Sequence, residues 1–226
     1  DDRDDQAELP GGTSQRQPVY LLPLAVMALC GLVLAIQLAN SLVLNDQGRE
    51  VLPTWFAFVP YRLIEPGNVD GGLWPLLWTP FTHAFLHAGW EHVGLNTVWL
   101  AIFATPITQR YGAVRMYILF LGGALIGALA FAATTLPDLQ VLVGASGGIA
   151  ALTGAAVRFI FQPPIVAVDP DTGERKLVGR RLATLGEFIR NPTARFFALV
   201  WIVLNGVVPL LPMLTGSAGV QVARQT

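Results

Sequence analysis

The sequence predicts an all-α fold, a polytopic bundle of membrane helices, and three observations carry that prediction. Of the 226 residues, 53 % are apolar and only 13 % are charged, with a mean hydropathy of +0.54, well to the apolar side of an ordinary soluble domain. Five stretches reach or approach the roughly 20 apolar residues that a bilayer core requires: about 20–44, 86–107, 116–135, 144–161 and 196–214. The basic residues, finally, are unevenly shared among the segments between them.

Taken in order, residues 1–18 are polar and mixed in charge and read as a disordered tail, with 19–226 forming one membrane domain. The first span is too long for a signal peptide, its flank is rich in Asp, and no small-residue cleavage site follows it. Residues 45–82 include 53-PTWFAFVPYR-62 and 73-LWPLLWTPF-81, too apolar for a solvated loop and too broken by Pro for a span. Such a segment suits the membrane interface, where Trp and Tyr rings are favoured. Residues 162–193, with 169-DPDTGERK-176, read as a solvated loop.

Positive charge sets the orientation, because short cytoplasmic loops collect Lys and Arg. Arg158, Arg175, Lys176, Arg180, Arg181, Arg190 and Arg195 lie around the connection between the fourth and fifth stretches, whereas residues 136–143 carry no basic residue. Threading back from there places the N-terminus in the cytoplasm and residues 45–85 outside, with only Arg49, Arg62 and Arg224 of the 14 basic residues on the outer side. A net charge of −1 implies no nucleic-acid partner. The lone Cys30 lies in the first span and forms no disulfide framework.

Ionisable groups in a span are costly and usually functional. All three histidines fall in 83-HAFLHAGWEHVGLN-96. His83 and His87 are four apart, as are His92 and Asn96, so each pair shares a helical face if its segment is helical. On the fourth stretch, 144-GASGG-148 places Ser146 in the first turn, also on the outer side. Ser146, His92 and Asn96 can thus reach one shallow depth, and a hydroxyl, an imidazole and a carboxamide are groups from which a nucleophile and an oxyanion hole are made. Gly144, Gly147 and Gly148 would admit a substrate or a neighbouring backbone. Each feature also has a plainer reading. Serine in a Gly and Ala run is more often a packing residue, and Asn96 can serve as helix glue. The paired histidines suit a metal, but a third ligand and a His-Glu-x-x-His order are both lacking. No cofactor or metal is therefore expected.

Together, 83-HAFLHAGWEHVGLN-96 and 144-GASG-147 resemble the rhomboid family of intramembrane serine proteases. The resemblance implies a rhomboid-like bundle with six spans, of which five are present. It also implies Ser146 as nucleophile, with His92, Asn96 and the Ser146 backbone N–H as oxyanion hole, and His83 and His87 supporting the neighbouring loop. The partners it implies are the lipid bilayer and transmembrane substrates, cleaved where they unwind near the outer face. Trp78 matches the Trp of the family's Trp-Arg pair, and Thr79 stands at the position of the Arg.

The family's general base is a His on the sixth span, and no His follows His92 here. A serine hydroxyl is a weak nucleophile without a base. The expectation is therefore a truncated copy of a six-span protease, inactive as it stands. The alternative is a non-catalytic relative that binds transmembrane clients. The absence of a transit-like presequence points to a bacterial inner membrane.

Overall fold

The computed structural model describes residues 22–168, 173 and 175–203. The tail at 1–18 and the part of the fifth stretch after residue 203 lie outside the described residues. The fold is all-α, and its one described sheet is a two-stranded hairpin.

Helix α1 (Leu24–Leu42) buries Val26, Leu29, Cys30, Val33 and Gln37, the i, i+3, i+4, i+7 pattern of one helical face. It packs against α4 (Trp90–Tyr111). Between them lie α2 (Asp46–Phe56), a series of short 3-10 turns and the single turn α3 (Thr79–Thr82). The sequence reading of this segment as too broken for a span stands beside an added feature, since residues 46–56 coil into a helix. The Asn45 side chain accepts from Gly48 N–H at 2.8 Å and caps it.

Helix α5 (Ala113–Thr135) follows α4 across Gly112, whose φ of +84° favours glycine. Helices α1 and α5 are long and apolar enough to cross a membrane, with mean hydropathies of 2.0 and 2.1. Helix α6 (Ser146–Ile160) is apolar but has only 15 residues, about 22 Å of rise. It sits at the centre of the core, against both α4 and α5.

Small residues bring α5 and α6 into backbone contact. A Cβ added to Gly123 would lie 2.6 Å from the Gly147 carbonyl oxygen, and one added to Gly148 would lie 2.4 Å from Phe120 Cδ2. The seam therefore fixes the position of α6, and with it the height of Ser146, its first residue.

Beyond α6 the chain forms β1 (Pro164–Val168) and β2 (Arg175–Arg180), antiparallel with a bulge between Ile165 and Val166. This hairpin was not expected within the loop at 162–193. Helix α7 (Leu185–Arg190) starts with a capping box from Thr184 and Glu187. Helix α8 (Pro192–Ile202) starts with Asn191 accepting from Ala194 N–H at 3.1 Å.

Candidate active site

Two backbone attachments hold the approach to Ser146. Leu142 and Phe58 exchange N–H···O bonds of 2.9 and 3.1 Å, a single antiparallel bridge to the segment after α2. Two residues later Gly144 donates its N–H to the His83 carbonyl at 2.9 Å. Gly144 has φ of +117°, in the region that side chains rarely enter, and it turns the chain into α6. Ala145 is buried and Ser146 is half-buried.

The histidine segment is fixed from the other side. His83 Nδ1 lies 3.0 Å from the Thr79 carbonyl oxygen, and the ring is 1 % exposed. Burial pulls its pKa below the usual histidine value, against the opposing effect of the Thr79 and Pro80 carbonyls. His87 is also buried, and its ring meets His92 edge to face, with centroids 5.0 Å apart and planes at 74°. His92 and Asn96 lie one turn apart near the start of α4, with Asn96 3 % exposed.

These elements converge on Gly144. A Cβ built there would stand 2.7 Å from His92 Cε1, 2.9 Å from His92 Nε2 and 3.7 Å from Asn96 Nδ2. An imidazole and a carboxamide therefore pack on backbone two residues before the hydroxyl. Asn96 Nδ2 and both ring nitrogens of His87 are buried without a hydrogen-bond partner. Among the described residues Ser146 Oγ has none either. A buried, unpaired amide donor is costly, and such a donor can hydrogen-bond to a developing oxyanion.

Of the glycines expected to open the site, Gly144 faces His92, whereas Gly147 and Gly148 face α5. The latter two admit a neighbouring backbone rather than enlarging the site. Trp78 is half-buried, and its indole N–H donates to the Trp55 carbonyl at 2.7 Å. Thr82 Oγ1 donates to the Phe56 carbonyl at 2.7 Å, so α3 is stapled to the end of α2 twice.

The residue that sequence reasoning missed is Arg62, fully buried at 0 % exposure. Its guanidinium donates to the carbonyls of Thr54, of Asp70 at 2.6 Å and of Gly72 at 3.0 Å. This one arginine, inside the broken segment, gathers its backbone. An arginine within 53-PTWFAFVPYR-62, otherwise uncharged, was the available signal.

Residues 75–168 match the family model described as the Rhomboid domain. The chain is 36 % identical over 80 residues to Rhomboid-related protein 3 of Homo sapiens, a match covering 35 % of this chain and 19 % of that one. It is 32 % identical over 77 residues to Rhomboid-related protein 2 of Mus musculus, covering 34 % and 25 % of the two chains. It is 34 % identical over 87 residues to the Bacillus subtilis (strain 168) protein YdcA, whose name contains the words rhomboid protease, covering 38 % and 42 %. The chain thus spans about a fifth of the length of the human relative it matches. With two apolar helices of membrane-crossing length, this integral membrane protein carries a match to the Rhomboid domain over residues 75–168.

Proposed function

We propose that the chain supplies the nucleophile and oxyanion hole of an intramembrane serine endopeptidase. The observation that carries this reading is the packing of His92 and Asn96 on Gly144, two residues before Ser146. Ser146 Oγ attacks the scissile carbonyl of a transmembrane client, and the new oxyanion accepts hydrogen bonds from His92, Asn96 and the Ser146 backbone N–H. The unpartnered Asn96 Nδ2 is available for this work in the resting protein. The Oγ proton passes to a histidine on a sixth helix, because His83 Nδ1 is against the Thr79 carbonyl, His92 serves the oxyanion, and His87 packs edge to face on the His92 ring.

The client is a transmembrane segment that unwinds near the outer face, where helix-breaking residues let its backbone reach Ser146. The N-terminus is assigned to the cytoplasm on the charge asymmetry of the loops, within a five-span domain from residue 19. The relatives are bacterial and mammalian, so the membrane assigned is a cellular one with the site opening away from the cytoplasm.

The test is labelling by a fluorophosphonate, of the chain as given and of the chain joined to a helix bearing the base histidine. Labelling of the joined chain that disappears in Ser146→Ala is the expected result, and labelling that persists in that variant would sink the assignment. A second reading is client binding without cleavage. It predicts capture of transmembrane clients that Ser146→Ala leaves unchanged, and no labelling of either chain.

A further inference from the structure

We propose that the basic end of the bundle holds an anionic phospholipid, its phosphate between Arg115 and Arg158 and its acyl chain along α5. A cavity of about 340 Å³ opens there, lined by Tyr111, Arg115, Ile118, Leu119, Arg158 and Leu182. That volume falls within the roughly 300–1,000 Å³ typical of small-ligand sites. It lies at the opposite end of α6 from Ser146, so it is separate from the candidate active site.

Among the described residues the charge lining this cavity is positive. None of its lining residues is acidic. Arg158 Nε donates to the Ala183 carbonyl at 3.2 Å, which orients the guanidinium and leaves its terminal nitrogens without a partner among the described residues. Arg115 reaches only the Tyr111 carbonyl, at a long 3.4 Å. The adjoining arginines are spent on carbonyls and rings rather than carboxylates. Arg110 donates to the Arg180 carbonyl at 2.6 Å and lies 4.8 Å from the Phe159 ring centroid, and Arg180 donates to the Ile160 and Gln162 carbonyls. Arg181 is paired with Glu187 at 2.8 Å. Two guanidinium forks facing one cavity match the oxygens of a phosphate.

The apolar wall selects a lipid over a soluble anion. Ile118 is 64 % exposed and stands in a row with Val114, Ile126 and Leu129 on the outer face of α5, a helix of membrane-crossing length. An acyl chain can lie along that row while its headgroup enters the cavity, and basic pockets between membrane helices are suited to anionic headgroups.

The experiment is native mass spectrometry of the chain in detergent, with dioleoylphosphatidylglycerol or dioleoylphosphatidylcholine added at equal concentration. The phosphatidylglycerol adduct should survive activation that strips phosphatidylcholine. Arg115→Gln, on an exposed helix surface, should weaken it roughly tenfold, the equivalent of one charge-assisted hydrogen bond. Arg115→Lys should weaken it less, and Arg190→Gln, which removes the same charge outside the cavity, should not. The melting temperature of each variant with phosphatidylglycerol, against phosphatidylcholine, gives a second readout that confirms folding. Equal retention of the two lipids, or equal loss in Arg190→Gln, would overturn the proposal. Full displacement of the lipid by millimolar inorganic phosphate would overturn the lipid reading in favour of a soluble anion.

Discussion

The backbone N–H of Gly144 donates to the carbonyl of His83 at 2.9 Å, joining the approach to Ser146 to the segment that leads into α4. One hydrogen bond thus relates the segment before the hydroxyl to the helix that carries His92 and Asn96. Misplacement of a reacting group by about 1 Å can cost 10²-fold in rate, so a site assembled from two helices depends on such direct ties. The remaining ties are the Phe58–Leu142 bridge and the glycine seam between α5 and α6.

Gly144→Ala should damage the site without touching its reactive groups. Its Cβ would meet His92 Cε1 at 2.7 Å, and the φ of +117° is strained for any side chain, at roughly 1–2 kcal/mol. In the chain carrying the base helix, serine-dependent fluorophosphonate labelling should fall at least about tenfold, with most of the helix content retained by circular dichroism. Labelling at the wild-type rate would mean that His92 is not held against this backbone.

Asn96→Ala and His92→Ala each remove one oxyanion donor. In the chain carrying the base helix, each should lower kcat by about 10² to 10³ and leave KM nearly unchanged. Cleavage of a transmembrane client in proteoliposomes is the measurement. A change confined to KM would assign these side chains to client binding instead.

The seam between α5 and α6 makes a contrasting pair. Gly148→Ala puts a methyl 2.4 Å from the Phe120 ring, whereas a Cβ at Gly154 meets nothing within 4 Å. Overpacking of this kind costs about 1–3 kcal/mol, while Gly→Ala on an open helix surface gains up to about 1 kcal/mol. Thermal melts in detergent should therefore move in opposite directions for the two variants.

Glu187 gives a pH dependence confined to the start of α7. A hydrogen bond from Arg181, with further help from Thr184, holds its carboxyl at about 2 instead of 4.5. Because the folded value is depressed, the stabilisation is present above pH 4.5 and is lost as pH falls toward 2. The ion pair is solvent-exposed, so salt weakens it. Carbon-13 titration of the Glu187 carboxyl should give a midpoint near 2, rising toward 4.5 in Arg181→Gln. An unshifted midpoint in the unaltered chain would show that the capping box does not hold this carboxylate in solution.

Much of this arrangement was legible before any coordinates. The apolar runs marked α1 and α5 because burial in lipid needs length and hydropathy, and both are local properties of sequence. The second stretch was shifted, expected at 86–107 and found as α4 at Trp90–Tyr111. Leu86 and His87 are apolar or buried without being helical, and hydropathy cannot separate those conditions. The sequence reading placed Ser146, His92 and Asn96 at one shallow depth, and the structure packs His92 and Asn96 on the Gly144 backbone just before α6. The tie from Gly144 to His83 was not legible, since any residue can make it through its backbone. The hairpin at 164–180 was hidden by the turn-forming residues between its strands. The role of Arg62 depends on carbonyls from residues 54, 70 and 72, and no local pattern announces that convergence.

Arg62 is the residue whose removal should loosen the outer segment while sparing the helices. Its guanidinium is fully buried and draws the Thr54, Asp70 and Gly72 carbonyls around one side chain. Arg62→Met keeps much of the volume but leaves those carbonyls without a charged donor, each such bond being worth about 1.5–3 kcal/mol. Lysine offers three donors on one atom and cannot span carbonyls on opposite sides of a planar fork, so Arg62→Lys should rescue only part of the loss. Hydrogen exchange of residues 60–76 should accelerate at least about tenfold in Arg62→Met while amides in α5 keep their protection. The Trp55, Phe56 and Phe58 carbonyls in the same segment bind Trp78, Thr82 and Leu142, so the loosening should extend to the segment before Ser146. Slower fluorophosphonate labelling of the chain carrying the base helix, with intact α5 protection, would then trace the path from Arg62 to the hydroxyl, and unchanged exchange at 60–76 would show that the segment is held by its apolar contacts alone.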